Sequence, residues 1–269
     1  MNQSCGDCQV CNDGYRQYCA KASGFAFSDT DQGAFSSGRI IDATFCYPIP
    51  DGIPSLMAAP LMCAGASTYE ALCAAGIKDG LKKVAVIGLG GLGHMAVLMA
   101  REMGAFNVDV WFARTPSEEK IGQALKLADV AIDITVPARR SVGREGYDDV
   151  REEDKADILI VCGNDLPDWN FVLPLLNRRA TIVLMSIVAG GELRLPYMDF
   201  ILPGHRIIAS TECRRDRFAE MLNMVDISGT KPRLEEFPMT EKGLDAAFGK
   251  LERGEMRFRG VLTVPEGGI

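Results

Sequence analysis

The chain has 269 residues, which at about 150 residues per domain implies roughly two domains and a core large enough to need no covalent staple. Hydrophobic residues make up 47% and charged residues 24% of it, values that exclude wholesale disorder. The formal net charge of −7 excludes the global basic field that a nucleic-acid or acidic-membrane partner requires.

Met1-Asn2-Gln3-Ser4 carries neither a basic nor an apolar run, so no secretory signal is expected and the chain is read as cytoplasmic. Residues 1–50 are rich in Gly, Asp, Ser and Cys. They predict loop with short strands, one at 39–45, ending in the turn signal Pro48-Ile49-Pro50-Asp51-Gly52. Helical spacing begins at Ser55 and returns over 68–75. Apolar strands then alternate with amphipathic stretches. Strands are predicted at 84–87, 108–112, 130–134, 157–162, 181–186 and 206–210, and helices at 92–103, 117–127, 168–176 and 214–225. This alternation means βαβ units and a parallel sheet covered on both faces. The charged stretch 144–157 reads as a solvated loop or surface helix. The longest apolar run, 180–191, is too short to span a bilayer. The tail adds a strand at 233–237, a helix at 241–252 and a strand at 259–264. The expected division is 1–54, 55–230 for the sheet domain, and a returning segment 231–269.

Nine cysteines are an odd number, and four of them crowd together as Cys5, Cys8, Cys11 and Cys19. Cys46, Cys63, Cys73, Cys162 and Cys213 are scattered. The pattern C-x2-C-x2-C-x7-C suits a metal loop in a reducing compartment better than a disulfide framework. Four thiolates close a tetrahedral zinc site with no open position, which is structural rather than catalytic. A ferredoxin-type cluster run has three residues before its last cysteine and a proline after it, whereas here seven intervene and Ala20 follows.

Gly88-Leu89-Gly90-Gly91-Leu92-Gly93 follows an apolar strand and opens a helix, the context in which G-x-G-x-x-G binds a dinucleotide. The first glycine makes the turn, the second admits the pyrophosphate, and the third lets helix pack on strand. NAD sites usually place a carboxylate about 20 residues on, but there stands Ala113, followed by Arg114 and Thr115. Arg114, Thr115, Ser117 and Lys120 can receive a 2′-phosphate by charge-assisted hydrogen bonds, which favours NADP over NAD.

These features in this order resemble the zinc-dependent medium-chain alcohol dehydrogenases. The segments carrying the likeness are the cysteine loop, Asp51-Gly52-Ile53-Pro54, the run Ala59-Pro60-Leu61-Met62-Cys63-Ala64-Gly65, the glycine turn with His94, and the close around Arg257-Phe258-Arg259. Phe112-Ala113-Arg114 and the ending lean to the cinnamyl-alcohol-dehydrogenase-like branch. The resemblance implies an α/β fold, a Rossmann-type doubly wound parallel sheet joined to an incomplete GroES-like β lobe that carries the zinc loop. It implies hydride transfer between NADP(H) and an alcohol/aldehyde pair. The implied partners are that small-molecule substrate and a second copy of the chain, not nucleic acid or membrane. Carried over by position, Cys63 matches a cysteine ligand of the catalytic zinc and Arg259 an arginine reaching the cofactor phosphates. Cys162-Gly163, Ser186 and Ser210-Thr211 sit where strands end on the nicotinamide side. The family's other catalytic ligands, its Gly-His-Glu motif and its relay hydroxyl belong to a segment preceding the cysteine loop, and no matching residues stand here. The two histidines do not replace them: His94 is read as packing within the glycine turn and His205 as an exposed turn residue. The competing expectation is therefore a nucleotide- and zinc-binding protein without turnover.

Overall fold

The computed structural model describes residues 3–24, 33, 35–36, 38–135, 140–142, 147–149 and 155–264, with backbone alone at 140–142 and 147–149. Helices are α1 (Gln9–Asn12), α2 (Ser55–Pro60), α3 (Ala66–Ala74), α4 (Gly93–Glu102), α5 (Glu118–Leu125), α6 (Trp169–Val172), α7 (Tyr197–Ile201), α8 (Arg215–Ser228) and α9 (Glu241–Glu252). Strands are β1 (Lys83–Ile87), β2 (Asn107–Phe112), β3 (Val130–Asp133), β4 (Arg140–Val142), β5 (Tyr147–Asp149), β6 (Ala156–Val161), β7 (Leu176–Leu184), β8 (Arg206–Ala209), β9 (Leu234–Pro238) and β10 (Arg259–Thr263). The chain forms two compact units, Ser67–Ser210 and Met1–Ala66 with Thr211–Ile269. Residues 55–66 and 211–230, expected with the sheet, group instead with the second of these.

The sheet unit has the strand order β5-β4-β3-β2-β1-β6-β7-β8. The six strands from β3 to β8 run parallel, and β4 and β5 add an antiparallel margin beside β3. Valine, isoleucine and alanine fill β1, whose Val84, Ala85, Val86 and Ile87 are all buried. Such residues suit a pleated strand covered on both faces. Trp111, Leu159, Trp169 and Ile182 belong to one core cluster with Ala85 and Ile87. From β1 the chain winds outward one way through β2 and β3, and the other way through β6, β7 and β8. The order reverses between β1 and β6, which opens a crevice beyond their carboxyl ends.

The other unit holds the cysteine loop, α8, α9 and a parallel pair, β9 with β10. Its 39–45 segment is not the expected strand. It ends in a 3-10 turn, Ala43–Phe45, because the Asp42 carboxylate accepts from Thr44 N–H at 2.8 Å and offers the backbone a local partner. The 168–176 helix is also shorter than expected. It tightens into a 3-10 turn at Leu173–Leu175, where Pro174 supplies no N–H to continue the ladder. The stretch 144–157 lies largely outside the described residues. No helix among the described residues is long and apolar enough to cross a membrane.

Candidate functional site

In the sheet unit, the glycine turn lies at the end of β1 beside the switch in strand order. Gly88 has φ +90°, and a Cβ there would meet the Gly163 backbone at 2.9 Å. A Cβ on Gly93 would stand 1.7 Å from the Gly88 carbonyl oxygen, while one on Gly90 would meet nothing within 4 Å. Leu89, Gly91 and Leu92 are half-buried along the turn. α4 opens at Gly93, and its first turn is tied back to the glycine turn, the His94 N–H donating to the Gly90 carbonyl at 3.1 Å and the Ala96 N–H to that of Leu92 at 2.9 Å. His94 is buried, with Nδ1 3.0 Å from the Gly90 carbonyl oxygen, the packing place expected for it.

Beyond β2 the chain exposes Arg114 and Thr115. The Arg114 guanidinium is paired with Asp165, from the loop after β6. Thr115 Oγ1 lies 3.4 Å from Thr135 Oγ1, which donates to the buried Asp133 at 2.6 Å. Ser117 caps α5 by accepting from Lys120 N–H, and the Lys120 side chain is exposed. Asp109 lies within β2, buried, with Lys83 Nζ at 3.9 Å, so it does not serve as the acidic residue at the strand's end. On the other side of the switch, Cys162 and Gly163 follow β6. Ser186 Oγ donates to the Val161 carbonyl at 3.3 Å. Ser210 follows β8, buried, its Oγ without a hydrogen-bond partner among the described residues. His205 is not the exposed turn residue expected after Pro203-Gly204. It is buried beside Phe200, and burial, aided by the Arg178 charge, holds its pKa below the ordinary value.

In the other unit, Cys5, Cys8, Cys11 and Cys19 place their four sulfurs within 4.8 Å of one another. The Cys5–Cys11 and Cys8–Cys19 separations are 3.9 Å and Cys5–Cys19 is 3.5 Å. A zinc tetrahedron with bonds of about 2.3 Å has edges of about 3.8 Å, so donor set and spacing both fit the ion. Backbone N–H groups of Cys5 and Lys21 point at the Cys19 sulfur and lower its pKa to about 6. Aromatic contacts tie this loop to the rest of its unit. Tyr18 Oη accepts from Thr211 N–H at 3.1 Å, Arg214 lies over the Tyr15 ring, and Arg16 lies over the Phe45 ring, next to the stack of Tyr47 on Phe218 at 3.9 Å.

Cys63 is exposed on a π-helical turn, Leu61–Gly65, rather than buried as most lone cysteines are. It shares a cavity of about 360 Å3 with Arg259 and the apolar walls of Pro60, Met239 and Val261. Cys5, Cys8, Cys11 and Cys19 are the one group of three or more metal-ligating side chains among the described residues, so Cys63 has no second ligand set around it there.

The fold and the turn together define a Rossmann-type architecture, with a second unit that carries the cysteine loop. Residues 91–226 match the model of the zinc-binding dehydrogenases. The chain is 29% identical over 267 residues to NADP-dependent alcohol dehydrogenase 6 of Saccharomyces cerevisiae, covering 97% of this chain and 71% of that protein. It is 30% identical to a probable cinnamyl alcohol dehydrogenase 1 of Aralia cordata, covering 97% and 70%. A cinnamyl alcohol dehydrogenase structure from Helicobacter pylori, complexed with NADP(H), superposes with a TM-score of 0.79 at 26% identity, over 97% of this chain and 72% of that one. The chain belongs to the zinc-type medium-chain alcohol dehydrogenases, in their cinnamyl-alcohol-dehydrogenase-like branch, and is by family an oxidoreductase.

Proposed function

We propose that this chain transfers hydride between NADP(H) and an alcohol/aldehyde pair. The observation that carries the reading is the contrast within one turn. Gly88 and Gly93 are required by neighbouring protein backbone, whereas Gly90 faces space left open for a ligand's approach. The glycine turn at the head of α4 would hold the pyrophosphate. Arg114 and Lys120 would hold the 2′-phosphate, and Cys162, Gly163, Ser186 and Ser210 would flank the nicotinamide, which supplies or accepts the hydride. Arg259, half-buried in the other unit, is assigned by resemblance alone to the cofactor phosphates.

Cys5, Cys8, Cys11 and Cys19 fit a structural zinc, whose contribution is to fold the loop. The residues described around Cys63 do not make a catalytic zinc site, so no step is routed through one. The roles of the two units, a catalytic lobe in Met1–Ala66 with Thr211–Ile269 and a cofactor domain in Ser67–Ser210, belong to the same reading. So do a cytoplasmic location, supported by the four clustered thiols, and association of two copies through β8, the last strand of the sheet among the described residues.

Cofactor choice tests the reading. NADPH should bind the chain more tightly than NADH, by about tenfold for one charge-assisted hydrogen bond of 1.5 kcal/mol or more. Arg114→Ala should erase most of that margin. Titration curves showing no binding of either cofactor would overturn the reading, and equal curves would overturn the choice of NADP. Aldehyde reduction is measured separately with NADPH, since binding without turnover is the competing outcome.

A further inference from the structure

We infer that Asp133, acting through Thr135, fixes the direction of the Thr115 hydroxyl and so determines how strongly the site separates NADPH from NADH. The inference rests on the reading that the cofactor's adenosine ribose lies beyond the carboxyl end of β2. Parallel pairing sets Phe112 of β2 opposite Asp133 of β3, which brings Thr115 and Thr135 together just past the two strand ends. The Asp133 carboxylate is buried, and its Oδ1 accepts twice from Thr135, from N–H at 2.9 Å and from the hydroxyl at 2.6 Å. A threonine hydroxyl has one proton to give. Thr135 gives it to Asp133, so toward Thr115 Oγ1, 3.4 Å away, Thr135 can only accept. The Thr115 proton is thereby drawn inward, and the exposed Thr115 oxygen turns its lone pairs to the ligand side.

Lone pairs there accept from a ribose 2′-hydroxyl and repel the oxygens of a 2′-phosphate, which are acceptors only. Arg114 pulls the other way, and it is itself held by Asp165. The geometry thus sets two opposed preferences within two residues of the chain. Asp133 is a positioning residue, since it acts on the ligand only through two hydroxyls.

The test is titration of the full chain with NADPH and with NADH, read by cofactor fluorescence. Thr135→Val keeps the shape and removes the acceptor, which frees the Thr115 proton for the phosphate. The ratio of NADPH to NADH affinity should rise about fivefold, the weight of one neutral hydrogen bond. Thr135→Ser restores the hydroxyl and should keep the unaltered ratio, which a general loss of stability would not do. In a Thr115→Val background, Thr135→Val should leave the ratio where it was. If both cofactors bind and Thr135→Val leaves the ratio unchanged, or moves it toward NADH, the inference is overturned while the cofactor reading stands. If neither cofactor binds the unaltered chain, the reading beneath it falls and the inference falls with it.

Discussion

A methyl group added at Gly93 would stand 1.7 Å from the Gly88 carbonyl oxygen, whereas one added at Gly90 would meet nothing within 4 Å. The two positions should therefore respond to substitution in opposite ways. Gly93→Ala must push helix from strand and is expected to cost at least about 3 kcal/mol of stability, seen as a lower denaturant midpoint. Gly90→Val should leave the midpoint almost unmoved and weaken NADPH binding by about tenfold or more, because its side chain fills the space that the pyrophosphate would enter. Wild-type cofactor affinity in Gly90→Val would show that no ligand approaches the turn there. The glycine pattern was legible in the sequence because its chemistry is local backbone geometry. Asp133, Thr135 and Asp165 were not, because their meeting depends on strand register and on a loop from another βα unit. His205 misled for a related reason. A proline–glycine pair signals a turn, but only the packing of Phe200 decides that the following ring is covered.

At the scale of elements, the six parallel strands could be read directly, since a strand buried on both faces must be a nearly continuous apolar run. The margin strands β4 and β5 are three residues each, Arg140–Val142 and Tyr147–Asp149, and polar, so neither length nor alternation announced them. α7 escaped notice likewise, being a single turn of five residues after Pro196. The cysteine loop has almost no regular structure of its own, four residues of α1 and one 3-10 turn, yet its spacing named it because ligand chemistry does not need periodicity. Elemental analysis of the reduced protein should find about one zinc per chain. Cys11→Ser should lower it to a small fraction, and chelation should expose residues 3–24 to protease while the sheet unit resists. Two zinc ions per chain, one of them lost on Cys63→Ser, would reveal a second ligand set and overturn the count.

For the molecule as a whole, β8 is the last strand of the sheet among the described residues, with exposed Tyr197, Met198 and Leu202 in the residues just before it. An edge strand offers unpaired N–H and C=O groups to a second copy, and apolar side chains beside it strengthen the offer. Light scattering should give twice the chain mass at micromolar concentration. Met198→Lys combined with Leu202→Lys should return a monomer with an unchanged melting curve for the sheet, and a monomer before any substitution would overturn the dimer. Both tryptophans of the chain, Trp111 and Trp169, are buried in the core of this same unit, while the lobe that carries the cysteine loop absorbs through Tyr15, Tyr18 and Tyr47. Selective excitation of indole therefore watches one half of the protein alone. An emission melt of this chain records the sheet and stays silent about the lobe, whose loss would pass unseen unless a second optical channel, the near-ultraviolet circular dichroism of those stacked tyrosines, were followed beside it.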